Sequence, residues 1–101
     1  MNQYKIWIDP EALEDIQKAT DWYNEQLPGL GSKFQDRVIH QINLLKTNPL
    51  GYSIRYKDVR CCLVKNFPFL IHFKVVENLN LVEVYSLFHT SRNPKIWLKR
   101  K

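Results

Sequence analysis

The spacing of apolar positions changes twice along this chain, from extended to helical and back to extended. Residues 4–8 are rich in β-branched and aromatic side chains and predict a short strand. Asp9 and Pro10 follow as a helix start, with aspartate as the N-cap and proline at the first helical position. The next positions predict an amphipathic helix. Its apolar stripe is Ala12, Ile16, Ala19, Tyr23 and Leu27.

A second helix follows residues 28–31, where one proline and two glycines interrupt the pattern. It begins either at Pro28 or at Ser32, and the second start has Gln35 in a capping-box position. Asn48 ends it, because the residue before a proline disfavours the α region. The short loop predicts an antiparallel helical hairpin. The second apolar stripe is Leu30, Phe34, Val38, Ile42 and Leu45.

After Gly51 the pattern is that of strands. The runs 53–56, 59–66, 69–76 and 81–88 are separated by short turns, which is typical of an antiparallel meander. The order of one strand, two helices and three or four strands predicts a single α+β domain. We expect an antiparallel sheet of four to five strands with the two-helix hairpin packed on one face. A chain of 101 residues is long enough for one such core.

Alternation along the strands also predicts which side chains share a face of the sheet. Ile71 and Phe73 share the side that we expect to pack on the helices, and Arg60 shares a side of its own strand with Cys62. A slip of one residue would invert this assignment. The predicted face opposite the helices gathers Arg60, His72, Lys74, Glu83 and Tyr85, with His89 and Arg92 just past the last strand.

Charge is distributed unevenly along the chain. Residues 1–50 hold five Lys or Arg and seven Asp or Glu, a net charge of −2. Residues 51–101 hold ten Lys or Arg and three Asp or Glu, a net charge of +7. This asymmetry predicts an acidic partner, either nucleic acid or a protein with an acidic segment. A solvated basic face that serves solubility is the simpler alternative.

Several function classes are disfavoured by what the sequence lacks. The adjacent Cys61 and Cys62 point to opposite faces of a strand, so we expect two buried, reduced thiols. Neither the cysteines nor the three histidines have metal-ligand spacing, and no Gly-rich phosphate loop occurs, so we expect no metal and no cofactor. No signal-peptide pattern and no membrane-spanning apolar run occurs, which predicts a cytoplasmic protein without membrane contact.

A series of short motifs then suggests a family. In order, the motifs are Tyr4-Lys5-Ile6-Trp7-Ile8, Asp9-Pro10-Glu11-Ala12, Asp15-Ile16, Trp22-Tyr23, Phe34, Leu44-Leu45, Asn48-Pro49, Arg55, Arg60, Phe67-Pro68-Phe69-Leu70-Ile71, His89-Thr90-Ser91-Arg92-Asn93-Pro94 and Trp97. Together, in a basic chain of this size, they resemble the RelE/ParE superfamily of toxins from bacterial type II toxin–antitoxin modules. The resemblance implies a sheet carrying a helical hairpin, and neutralisation by a cognate antitoxin encoded beside the toxin.

The superfamily implies two mechanisms. ParE-like members poison DNA gyrase, and the segments Phe67-Pro68 and His89 to Pro94 with Trp97 resemble that branch. RelE-like members cleave mRNA in the ribosome. We therefore expect a ParE-like toxin that inhibits gyrase, with growth inhibition and plasmid stabilization as its effects. The alternative is a metal-independent, ribosome-dependent mRNA endoribonuclease of RelE type, and a third possibility is a degenerate member that binds its antitoxin and DNA without toxicity.

Candidate site residues follow from these alternatives. Metal-free RNA cleavage needs a base, an acid and cations that stabilise the phosphorane. His89 is a candidate acid or base, and Arg92 or Arg60 a candidate phosphate clamp. Glu83 is a candidate base, and Tyr85 a candidate for base stacking or proton donation. Predicted contacts with the target or antitoxin are Arg55, Lys57, His72, Lys74, Trp97, Lys99 and Arg100, and we expect operator DNA to be contacted only through the antitoxin.

The candidate catalytic residues also have a structural interpretation. His89 is then a strand-end residue with local hydrogen bonds, and Arg92 anchors the C-terminal tail to an internal carboxylate. Trp97 serves as a hydrophobic anchor of the same tail. In that case the chain acts by binding rather than by chemistry.

Overall fold

The computed structural model describes residues 3–91, which form two helices packed on one face of a five-stranded sheet. The elements in chain order are β1 (Lys5–Ile8), α1 (Pro10–Gln26), α2 (Leu30–Leu44), β2 (Ile54–Tyr56), β3 (Val59–Leu63), β4 (Phe69–Val76) and β5 (Leu81–His89). Short 3₁₀ helices at Pro49–Gly51 and Glu77–Leu79 precede β2 and β5. The predicted α+β architecture is confirmed.

The strand order is β1-β5-β4-β3-β2. Strands β2 to β5 form the antiparallel meander that the sequence predicts. β1 lies parallel to β5, with Lys5 opposite Leu81 and Ile8 opposite Val84. A parallel pair is possible here because the helical hairpin lies in the long connection between these two strands. The sheet is therefore mostly antiparallel, with one parallel pair.

The helix boundaries differ slightly from the predicted ones. Pro10 is the first residue of α1, as expected, but the carboxylate of Asp9 makes no capping bond and instead accepts a hydrogen bond from the Trp7 indole at 2.8 Å. α2 begins at Leu30, between the two predicted starts. Gly29 precedes it with a φ of 92°, a left-handed conformation that favours glycine.

The predicted apolar stripes form the core. Phe34 and Val38 of α2, and Leu45 just after it, are fully buried in the same core as the sheet side chains Phe73 and Val82. An aromatic cluster ties the hairpin to the turn between β3 and β4, with ring centroids 5.0–5.2 Å apart for most pairs. Its members are Tyr23, Phe34, Phe67 and Phe69. No helix within residues 3–91 is both long and apolar enough to cross a membrane.

β5 carries one more residue than the facing part of β4. His72 lies opposite Ser86, whereas the next residue of β4 lies opposite Val84. Tyr85 is therefore the extra residue of a β-bulge, which reverses the alternation of side chains beyond it. Val84 before the bulge and Leu87 after it both belong to the core under the helices, although they are three positions apart.

β1 covers only the first half of the β5 edge. The last backbone bond on this side joins the Asp9 amide to the Val84 carbonyl at 2.8 Å. Farther along, the amide of Leu87 donates to the carboxylate of Asp15 in α1 at 3.1 Å. A side chain of α1 thus takes over the hydrogen bonding where the neighbouring strand has ended.

The two helices are in close contact at Gly31. Its amide donates to the Asn24 side-chain oxygen at 2.7 Å, and a Cβ at this position would overlap the Thr20 carbonyl oxygen. Gly31→Ala should therefore destabilise the fold by roughly 1–3 kcal/mol through overpacking. The matched control is Ser32→Ala at the exposed neighbouring position, which should change the free energy of unfolding by less than about 0.5 kcal/mol. Urea unfolding measures both, and equal stability of the two variants would contradict the close packing.

Candidate functional site

A polar cluster lies on the face of the sheet opposite the helices, which we call the outer face. Lys74 and Glu83 are directly opposite each other on β4 and β5, so their side chains share this face. The Lys74 ammonium lies 5.3 Å from the centre of the Tyr85 ring and 3.6 Å from the Asp58 carboxylate. The structure thus brings together three of the predicted site residues.

His72 is also part of the outer face and is fully buried. Its Nδ1 lies 2.9 Å from the hydroxyl of Tyr56, and the Phe88 ring is 5.0 Å from its own ring centre. Tyr56 belongs to β2 at the sheet edge, and its side chain extends from the β2–β3 hairpin toward the central strands. Tyr56 is not among the site residues predicted from the sequence. The sequence signal for it is its position in the basic half of the chain, four residues before Arg60.

The protonation of Tyr85 limits its chemistry. Burial raises the pKa of its phenol, and a hydrogen bond with Tyr56 raises it further. The phenol is therefore neutral at physiological pH and serves as a hydrogen-bond donor or a ring surface, not as a base.

His89 lies on the helix side of the sheet, and the prediction that placed it with Tyr85 on the outer face is wrong. His89 is opposite Phe69 in the register, and the two rings are 5.2 Å apart. The bulge at Tyr85 is the cause, because one extra residue moves each residue after it to the face opposite the one that simple alternation predicts. The Nδ1 of His89 accepts a 3.1 Å hydrogen bond from the Ser91 amide.

Arg60 likewise lies on the helix side, and its predicted place on the outer face is wrong. It is directly opposite Phe73, a core residue, and it shares this side with Cys62. Its guanidinium donates to the backbone carbonyl of Tyr52, so it holds the segment before β2 against the sheet. Alternation along β3 groups Arg60 with Cys62 but does not say which side faces the helices, because Val59 and Cys61 on the other side are also buried.

The remaining predicted contact residues are divided between the first hairpin and the chain end. Arg55 and Lys57 are exposed on β2 and the turn after it. Lys57 adopts a φ of 48° in that turn. The other four residues lie outside the described part of the chain: Arg92, Trp97, Lys99 and Arg100.

Two grooves open on the helix side of residues 3–91. Neither groove is predicted by the sequence. One, of about 610 Å³, runs between α1 and the end of β5 and is lined by Lys18, Trp22 and His89. The other, of about 950 Å³, lies between α2 and the turn before β4. The spacing of Lys33 and Arg37 places two cations on one row of α2, but it does not encode the groove, which depends on the turn before β4.

The thiols are buried, as the sequence predicts. Burial raises the pKa of Cys61 to about 11 and that of Cys62 to about 12. Nearby Arg55 lowers the first value slightly, and a hydrogen bond with Gln41 lowers the second. Both are neutral, unreactive groups at physiological pH. Among residues 3–91 no three His, Cys, Asp or Glu side chains group as metal ligands do.

The fold and the site place the chain in a known class. The family described as the ParE toxin of the type II toxin-antitoxin system, parDE, matches residues 6–94, which is most of the sequence. The chain belongs to this family of type II toxins, within the RelE/ParE superfamily.

Solved structures share the same architecture at low sequence identity. The chromosomal ParDE system from P. aeruginosa aligns with a TM-score of 0.77 and 16% identity, over 88% of this chain and 98% of that one. The intact E. coli RelBE toxin–antitoxin complex gives 0.66 and 17%, over 88% and 99%. The isolated E. coli RelE toxin gives 0.66 and 18%, over 96% and 97%. At these identities the likeness concerns the fold.

The bond between Tyr56 and His72 should contribute measurably to stability. Tyr56→Phe removes the hydroxyl and leaves the buried Nδ1 of His72 without this bond, at a cost of about 1–2 kcal/mol. Tyr4→Phe is the matched control, because no hydrogen bond joins the Tyr4 hydroxyl to residues 3–91. Chemical denaturation compares them. Loss of stability in the control alone, or in neither variant, would contradict the role of the Tyr56 hydroxyl.

The buried thiols predict a fall in stability in alkaline solution. An unfolded thiol ionises near pH 8.5, whereas the folded ones hold their protons to about pH 11 and 12. The unfolded chain releases protons that the folded chain retains, so stability falls as pH rises above the unfolded pKa. Each thiol should lower the free energy of unfolding by about 1.4 kcal/mol per pH unit between about pH 9 and 11.

The double variant Cys61→Ala/Cys62→Ala isolates this contribution, because the other titrating groups are common to both proteins. Its free energy of unfolding, measured by urea titration at several alkaline pH values, should fall less steeply than that of the wild type. The same slope in both proteins would show that the thiols ionise in the folded state.

Proposed function

We propose that this toxin acts by binding and inhibiting DNA gyrase, and that a cognate antitoxin neutralises it. The family match to ParE toxins supports this branch over the RelE branch. The observation that carries the proposal, however, is the position of the candidate catalytic residues.

Among the residues that the structure describes, the candidate catalytic groups do not converge. Glu83 and Tyr85 belong to the outer face, whereas Arg60 and His89 belong to the helix side. On the helix side, Arg60 is opposite Phe73 and His89 is opposite Phe69. Phe69 and Phe73 are four residues apart along β4. That is roughly 13 Å along the strands and roughly 10 Å across two strand spacings. The Arg60 guanidinium is in addition bound to the Tyr52 carbonyl, so Arg60 and His89 do not meet at one phosphate in this structure.

The outer face has the character of a binding surface. His72 is held by ring contacts with Tyr56 and Phe88. The ammonium of Lys74 lies over the Tyr85 ring and is paired with Asp58. Arg55 and Lys57 add exposed positive charge from the adjacent hairpin. We infer that Arg55, Lys57 and the half-buried Lys74 contact the target, because exposed cations on a rigidly packed sheet suit a macromolecular partner. His72 and Tyr85 are buried and support this surface from within the sheet.

The family and the charge of the chain both support a cognate antitoxin as its partner. The aligned RelBE structure is a toxin–antitoxin complex, and the ParDE structure is named for such a system. The net charge of +7 in residues 51–101 would attract an acidic partner. We propose that operator DNA is contacted through the antitoxin, and that growth inhibition, a role in plasmid stabilization and a cytoplasmic location accompany this function.

A supercoiling assay tests the target directly. Purified gyrase, relaxed plasmid and ATP are incubated with increasing amounts of this protein, and the supercoiled product should decrease because the protein occupies gyrase. Prior incubation with the product of the adjacent open reading frame should restore supercoiling. Undiminished supercoiling at a large molar excess of correctly folded protein would refute the proposed target.

A ribosome-dependent mRNA endoribonuclease of RelE type is the second candidate. The hydrogen-bonded Tyr56 and His72 beside Tyr85 favour it, because they offer proton-carrying groups on one face. Primer extension on translated mRNA distinguishes the two functions. Codon-aligned cuts would support the ribonuclease, and their absence together with gyrase inhibition would exclude it.

A further inference from the structure

The groove beside α2 has a rigid aromatic floor. Tyr23 and Phe67 line it, and their ring centroids are 5.0 Å apart in an edge-to-face contact. Leu30 and Pro68 add apolar surface at the sides. We call this groove the α2 cleft. Its full lining is Tyr23, Leu30, Lys33, Asp36, Arg37, His40, Asn66, Phe67 and Pro68.

The rim of the α2 cleft carries cations without counterions. Lys33 and Arg37 are exposed, and within residues 3–91 neither lies within salt-bridge distance of a carboxylate. His40 continues the same helical row, three residues after Arg37. One turn of helix separates Lys33 from Arg37, a distance of about 6 Å along the axis. Two carboxylates at a similar spacing would pair with both.

Asp36 and the acidic helix α1 limit which ligands can approach the row of Lys33, Arg37 and His40. Asp36 is the one acidic residue that lines the α2 cleft. α1 packs beside α2 and holds five acidic residues against one lysine, a net charge of −4. A nucleic-acid backbone, with a charge on every phosphate, would bring more negative charge near α1 than a short segment with two carboxylates. The segment also offers an apolar side chain for the aromatic floor, so the α2 cleft favours it.

We propose that the α2 cleft binds an acidic amphipathic segment of the antitoxin. Two carboxylates four residues apart on that segment, the spacing of neighbours on a helix, pair with Lys33 and Arg37. An apolar side chain between them packs on Tyr23 and Phe67. The inference rests on the proposed toxin–antitoxin function and adds to it a place on the toxin, remote from the outer face that we assign to the target.

Charge reversal at the rim tests this assignment. The variant is Lys33→Glu/Arg37→Glu, and the matched control is Lys5→Glu/Lys46→Glu, which changes the net charge equally on other parts of the chain. Circular dichroism and thermal unfolding confirm that both variants fold. The probe is the protein encoded by the adjacent open reading frame, titrated by calorimetry into each full-length toxin at low and at high salt.

We expect the rim variant to bind the probe about tenfold more weakly or worse at low salt, and the control to stay within about twofold of the wild type. The difference should shrink at high salt. Equal weakening of both variants would show a general effect of net charge and overturn the α2 cleft as the site. Unchanged binding by the rim variant would overturn it too, while leaving the toxin–antitoxin function intact.

Two further outcomes separate the alternatives. If the rim variant loses affinity only for duplex DNA, measured by fluorescence anisotropy, the α2 cleft is a nucleic-acid surface and the proposal fails. If the wild-type toxin inhibits gyrase but does not bind the probe, the assignment of an antitoxin partner fails and the proposed occupant fails with it. Inhibition of gyrase by the wild type is measured separately. Failure of the proposed gyrase target can therefore be distinguished from failure of the proposed antitoxin site.

Discussion

The β-bulge at Tyr85 determines which side chains share a face of this sheet. Up to the bulge, strand alternation places Glu83 on the outer face and Val84 on the core. One extra residue then reverses the order, so that Leu87 enters the core and His89 follows it to the helix side. Without the bulge, Leu87 would lose its place under the helices. The hydrophobic core and the position of His89 are thus two consequences of one irregularity.

This constraint favours a protein that acts by contact. Chemistry on RNA would need several groups within bonding distance of one phosphate, and the bulge sends one of them to the opposite face. Arg60 is committed to a backbone carbonyl near β2. What remains on the outer face is the half-buried Lys74 over the buried Tyr85 ring, flanked by the basic β2–β3 hairpin. A surface of this kind recognises a shape and a charge, which is what inhibition of a larger enzyme requires.

Most of the fold is predictable from the sequence because it follows from periodicity. The stripes that begin at Ala12 and Leu30 enter the core as predicted, and the meander follows from the short turns. The parallel pairing of β1 is not predictable in this way, since a strand of four residues carries no signal for its partner. The bulge is a matter of register between strands, so alternation within β5 alone misassigned His89. The α2 cleft depends on how α2 packs beside a turn distant in sequence, which one-dimensional spacing does not encode.

We assign the outer face to the target and the helix side to the antitoxin. The central claim of this proposal is that the chain inhibits gyrase by binding it. Direct binding tests this claim most simply. Purified full-length toxin is titrated in parallel against purified gyrase and against translating ribosomes, with complex formation followed by light scattering or calorimetry. The account predicts saturable binding to gyrase and none to ribosomes. Binding to ribosomes with no binding to gyrase would contradict it.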